Sequence, residues 1–140
     1  MITKSDRQKI EKYLANQNNI DVAYLFGSQS KGRVNDMSDI DVAILFDEKK
    51  SSEKRFKEKL KIMGDLGILL KTNNIDVVDL NSADIAIQFS AIENRDILMN
   101  KNNSKRVVFE SNVMTRYQDY KYYLTTNTHN SLASIARMEI

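Results

Sequence analysis

Two aspartates two residues apart, Asp39 and Asp41, head a run that otherwise reads as buried strand, inside "LFGSQSKGRVNDMSDIDVAIL" (residues 25–45). Side chains at i and i+2 of a strand point to one face, so Asp39 and Asp41 project together while Ile40, Val42 and Ile44 supply the core. Two carboxylates this close raise each other's cost of ionisation unless a cation compensates. Oxygen-only donors favour a hard cation. With no cysteine and a single histidine, His129, the chain fits Mg²⁺ and not Zn²⁺. Upstream, an apolar run ends in Gly27-Ser28, where backbone N–H groups at a turn or helix start are free to hold phosphate. Glycine admits close backbone approach there, and the Ser28 hydroxyl donates to a phosphate oxygen. Lys31 and Arg33 add charge-assisted contacts, and Ser38 closes the same loop. A bare D-x-D is more often a pair of solvated acids at a strand edge. Joined to a phosphate cradle by one loop, it suits a nucleoside triphosphate with its metal.

These residues need a scaffold, and the pattern of apolar positions predicts one. Ser5 caps a first helix with Ile10, Tyr13 and Leu14 on one side. "IDVAYLF" (20–26) and "DIDVAILF" (39–46) read as strands, too far apart in sequence for a tight hairpin. Connections of this length inside a compact domain are usually functional. Ser51 or Ser52 caps a long helix with an apolar side of Phe56, Leu60, Met63, Leu66 and Leu70. "NNIDVVDL" (73–80) is a third strand, followed by a helix capped by Ser82 with Ile85, Phe89 and Ile92 inward. Beyond the polar "NKNNSK" (100–105), Phe109, Val113, Tyr117, Tyr120 and Leu124 form a helical stripe. The predicted fold is a small α/β domain with a mixed sheet of three or four strands flanked by helices. Residues 1–100 form its core, and 101–140 a helical C-terminal arm packed on that core or on a partner. The third strand offers a further acid. Asp76 is placed to join the metal face, leaving Ile75, Val77 and Asp79 on the other side; Asp79 is the alternative.

Composition bounds the rest. The chain has 140 residues, 41% hydrophobic and 29% charged, which suits one globular domain. Its 21 basic and 19 acidic residues leave a net charge of +2, without the basic excess of a protein that lives on nucleic acid or anionic membrane. No apolar run approaches the length of a membrane span, and the N-terminus has no apolar signal core, so a cytoplasmic protein is expected. "EKRFKEKLK" (53–61) mixes both signs and reads as a solvated helix face. Four of the six tyrosines lie in "RYQDYKYY" (116–123). Tyr117 and Tyr120 fall on the buried stripe, which leaves Tyr122 and Tyr123 to solvent or a partner.

Gly27-Ser28, ten residues, then Asp39-Ile40-Asp41, with a later strand acid, resembles the G-S-x10-D-x-D pattern of the DNA polymerase β nucleotidyltransferase superfamily. "SDIDVAI" is similar to that family's wording around the acids. The small size, the "VVDL" strand and the tyrosine-rich arm are most similar to minimal nucleotidyltransferases, the MntA-like antitoxins paired with HEPN ribonuclease toxins. The resemblance implies that Asp39, Asp41 and Asp76 are catalytic and hold two Mg²⁺ ions, with Gly27 and Ser28 on the triphosphate of ATP. It implies AMP transfer to a hydroxyl, a tyrosine of the partner HEPN toxin, which neutralises the toxin. The phosphate roles of Lys31, Arg33 and Ser38 rest on the residues alone. Two other functions stay open: an antitoxin that inhibits only by binding, and a small-molecule nucleotidyltransferase, for which the chain is short.

Overall fold

The computed structural model describes residues 2–26 and 40–138, with residues 128–138 as backbone. Its elements are α1 (Lys4–Ala15), β1 (Ile20–Phe26), β2 (Ile40–Phe46), α2 (Ser52–Leu70), β3 (Ile75–Asp79), α3 (Ile85–Ile92), β4 (Ile97–Asn100) and α4 (Asn103–Met138). The sheet runs β3-β2-β1-β4. β1 is antiparallel to both β2 and β4, and β2 is parallel to β3. A parallel pair needs a crossover, and α2 provides it. None of the described helices is long and apolar enough to cross a membrane.

Helices cover both faces, which is why "VAYLF" and "VAILF" are almost uninterruptedly apolar. Ala23, Leu25, Val42, Ile44, Ile75 and Val77 face α1 and α2, meeting Ile10, Leu14, Ile62 and Leu66. Val22, Tyr24, Ala43 and Leu45 face α3 and α4, meeting Ala91, Ile92 and Val113.

Caps depart from expectation where a nearer group wins. Thr3, not Ser5, caps α1 by accepting from the Asp6 N–H at 3.0 Å. Ser51 caps α2 at 3.2 Å from the Lys54 nitrogen. Asp84, not Ser82, caps α3, because Ser82 is drawn into the turn that Asp79 holds. The fourth strand, β4, falls next to the expected polar boundary; four residues are too few to show a period of two.

Two expected apolar faces are corrected. On α2, Ile62 and Leu66 are the buried residues, with Met63 and Leu70 partly buried, while Phe56 is 57% and Leu60 50% exposed. At 100° per residue, Leu60 lies about 160° around the helix from Ile62 and cannot share its face. On α4, Val113 is buried and Phe109 partly so, and Tyr117 stacks on Phe89 with ring centroids 3.8 Å apart. Tyr120 and Leu124, expected to continue that stripe, are exposed, as are Tyr122 and Tyr123. At about 1.5 Å per residue the 36 residues of α4 span roughly 54 Å, more than this sheet can cover.

Candidate active site

The site is built where three strand ends meet. Phe26, the last residue of β1, stands opposite Asp41 in the antiparallel pair. Asp41 stands opposite Asp76 in the parallel pair, so the two acids occupy one face of neighbouring strands. Strand spacing sets their backbones about 4.8 Å apart, close enough for both carboxylates to reach a single cation. Both lie on the α3/α4 face, at the end of the sheet where Asp41 is half-buried and Asp76 exposed. Only a polar, solvent-reached edge allows two acids here; the positions that follow on that face, Ala43 and Leu45, are buried.

Asp79 goes elsewhere. Its carboxylate accepts from the Arg55 Nε at 2.9 Å, the Ser82 hydroxyl at 3.0 Å and the Asn81 N–H at 2.9 Å. Arg55 also donates to the Lys50 carbonyl at 2.7 Å and to Ser82. Asn81 in turn accepts from the Phe46 N–H at 2.8 Å and donates to its carbonyl at 3.1 Å, closing the end of β2. Asp79 thus ties β3 to α2, and Asp76 is the acid brought to Asp41.

The remaining expected site residues, Gly27, Ser28, Lys31, Arg33, Ser38 and Asp39, lie outside the described residues. Among the described residues no cluster of three metal-ligating side chains occurs. What the described residues contribute is a pair of hard oxygen donors in register, a donor set that fits a divalent cation carrying phosphate. Two residues behind this pair, on the same face, sits a network with no counterpart in the sequence motif. The buried Tyr24 hydroxyl donates to Glu110 Oε2 at 2.8 Å, and Arg106 donates to the same oxygen at 2.8 Å. Arg95 approaches the other oxygen at 3.8 Å. Burial, then the acceptor Glu110, pushes the Tyr24 hydroxyl well above the ordinary tyrosine range, so it stays a donor. The signal for Glu110 was its spacing: it shares a helix face with Val113 and Tyr117, an acid on an inward stripe.

A cleft of about 600 Å³ opens at the other end of β2, lined by Leu45, Asp47, Asn81, Lys105 and Asn112 among others. Its nearest lining residue on β2, Leu45, is four residues along the strand from Asp41, roughly 13 Å. It contains neither acid of the pair.

The family model described as Polymerase beta, Nucleotidyltransferase matches residues 8–104. No curated protein matches the chain. Among solved structures, a chain of a toxin–antitoxin crystal structure with AMP-PNP superposes with TM-score 0.72 at 24% identity, covering 90% of this chain and 98% of that one. A chain of the toxin–antitoxin MntA–HepT gives 0.68 at 21% identity, covering 93% and 99%. A third, from the tri-AMPylated Shewanella oneidensis HEPN toxin in complex with MNT antitoxin, gives 0.65 at 20% identity, covering 90% and 98%. At these identities the structures establish a shared fold over nearly the whole of each chain, long C-terminal helix included. The family model spans α1 through the start of α4, with the paired acids inside it, and the chain belongs to the polymerase β nucleotidyltransferase family.

Proposed function

We propose that this chain is an antitoxin that transfers AMP from ATP to a tyrosine hydroxyl of a partner HEPN ribonuclease toxin. The observation that carries the reading is the in-register pair Asp41–Asp76 at the adjoining ends of β2 and β3, beside the end of β1. The fold's likeness to chains from complexes that hold AMP-PNP or an AMPylated HEPN toxin supports the choice of donor and partner.

Asp39, Asp41 and Asp76 would hold Mg²⁺, and Gly27, Ser28, Lys31, Arg33 and Ser38 the triphosphate. Mg²⁺ bound there would supply charge neutralisation for the attacking and leaving oxygens. The acceptor oxygen forms its bond to the α-phosphorus as the bond to the bridging β-phosphate oxygen breaks, and pyrophosphate leaves. Asp76, exposed at the strand edge, takes the acceptor's proton on its carboxylate. The cleft at the far end of β2 lacks the acids, and in this reading the acceptor arrives on a protein surface. The new phosphodiester places negative charge on the ribonuclease, which repels RNA backbone. This chemistry belongs in the cytoplasm beside the toxin, and the near-balanced charge of this chain gives it no nucleic-acid role of its own.

The test is to incubate the purified protein with α-labelled ATP, Mg²⁺ and candidate HEPN-domain proteins from the same genome. Label on one of them, lost with EDTA, is the expected result. Label released as free AMP or left on ATP, with all of them unmodified, contradicts the reading.

A further inference from the structure

The outer side of α2 carries a ridge that the fold does not use. Phe56, Leu60, Gly64 and Ile68 follow one another at steps of four, and the three side chains are 57%, 50% and 80% exposed. A β-carbon added at Gly64 would meet nothing within 4 Å. The other glycine of the helix is explained from within: a β-carbon at Gly67 would stand 3.1 Å from the Thr72 carbonyl, in the turn that ends α2. Gly64 has no such internal reason, and glycine is among the poorest residues in a helix interior. Its position leaves a gap between Leu60 and Ile68, two-thirds of the way along a ridge about 18 Å long.

We propose that this face of α2 docks an acidic amphipathic helix of a partner protein. Ridges four residues apart pack into the grooves of a second helix, and a glycine at the crossing lets the two backbones approach. Charge selects the occupant. The exposed charged residues of α2 and its C-cap are Glu53, Lys54, Lys57, Lys61 and Lys71; Lys57 pairs with Glu53 at 3.6 Å, which leaves a net three positive charges. A second copy would set lysine against lysine, whereas glutamates flanking an apolar ridge complement it. An anionic lipid surface would satisfy the lysines but has no use for a gap one side chain deep. The site lies on the α1/α2 side of the sheet, opposite α4, and does not depend on nucleotide transfer.

The probe is a labelled helical peptide with leucines at steps of four flanked by glutamates, titrated into the full-length protein, with the same peptide carrying lysines as its control. The expected result is saturable binding of the acidic peptide alone, with amide shifts in residues 56–68. Gly64→Leu fills the gap and should weaken binding by roughly tenfold or more, the scale of one central contact. Its melting temperature should not fall, because the new side chain enters open space. Leu60→Glu should weaken binding as much, and Gly64→Ala should raise the melting temperature. Equal binding of both peptides, or shifts confined to α4, overturns the proposal. So does attachment to anionic vesicles that Gly64→Leu leaves unchanged, or a concentration-dependent dimer that Gly64→Leu breaks.

Discussion

Asp76 and Asp79 stand three residues apart in one short strand, and their surroundings give them different work. Asp76 faces Asp41 in register and is open to solvent; Asp79 is held by Arg55, Ser82 and Asn81. Asp76→Asn should therefore abolish transfer and leave thermal stability unchanged. Asp79→Asn should cost about 1–2 kcal/mol, the worth of a charge-assisted hydrogen bond, with transfer retained in the folded fraction. Parallel activity and denaturant measurements on the two variants check this; a reversed pattern would make Asp79 the catalytic acid. The side of the strand that Asp76 takes was legible, because strand parity is a local rule. The task of Asp79 was not, since its partner Arg55 lies on another element 24 residues away. Glu110 was hidden for the same reason: its spacing marks an inward acid, but Tyr24 is reached only through the fold.

Helix ends and helix faces divide along the same line between local and long-range causes. The cap of α2, expected at Ser51 or Ser52, is Ser51, whereas Ser82 gives way to Asp84 at α3 because the turn held by Asp79 takes it. Which turn of α2 faces the sheet depends on where β3 and α1 lie, so Phe56 and Leu60 were placed on the wrong side. Lys71 ends α2 in the left-handed region at φ 55°, which a side chain with a β-carbon adopts at a cost. Lys71→Gly should stabilise the protein by about 0.5–1 kcal/mol, read from the denaturant midpoint, after the extra freedom glycine gives the unfolded chain. Behind the site, Tyr24→Phe should cost about 1 kcal/mol, since Glu110 keeps Arg106. Glu110→Ala should cost about 3 kcal/mol, because it strands both the tyrosine hydroxyl and a largely buried arginine. Equal effects of the two substitutions would mean that the ion pair, not the tyrosine, contributes nothing.

Taken as one body, the protein is a four-stranded sheet with an α4 that outruns it. Tyr120, Tyr122, Tyr123 and Leu124 are exposed on that helix, and aromatic side chains of this kind favour interfaces. Deleting residues 126–140 should weaken the complex with the HEPN protein more than it lowers the melting temperature of the isolated chain. Full-affinity binding by the truncated chain would remove this segment from the interface. The central claim is that the acids on β2 exist for AMP transfer, and it is tested most directly by replacing Asp39 and Asp41 with Asn. Neutral amides keep the shape and give up the charge that binds metal; even changes one step removed from a metal cost roughly 10–100-fold. The measurement is the mass of the HEPN protein, with cell survival, when it is co-expressed with either version. The account predicts an AMP-sized mass increase and survival with the parent chain, and loss of both with the double variant. Full protection by the double variant, with the HEPN protein at its unmodified mass, would contradict it.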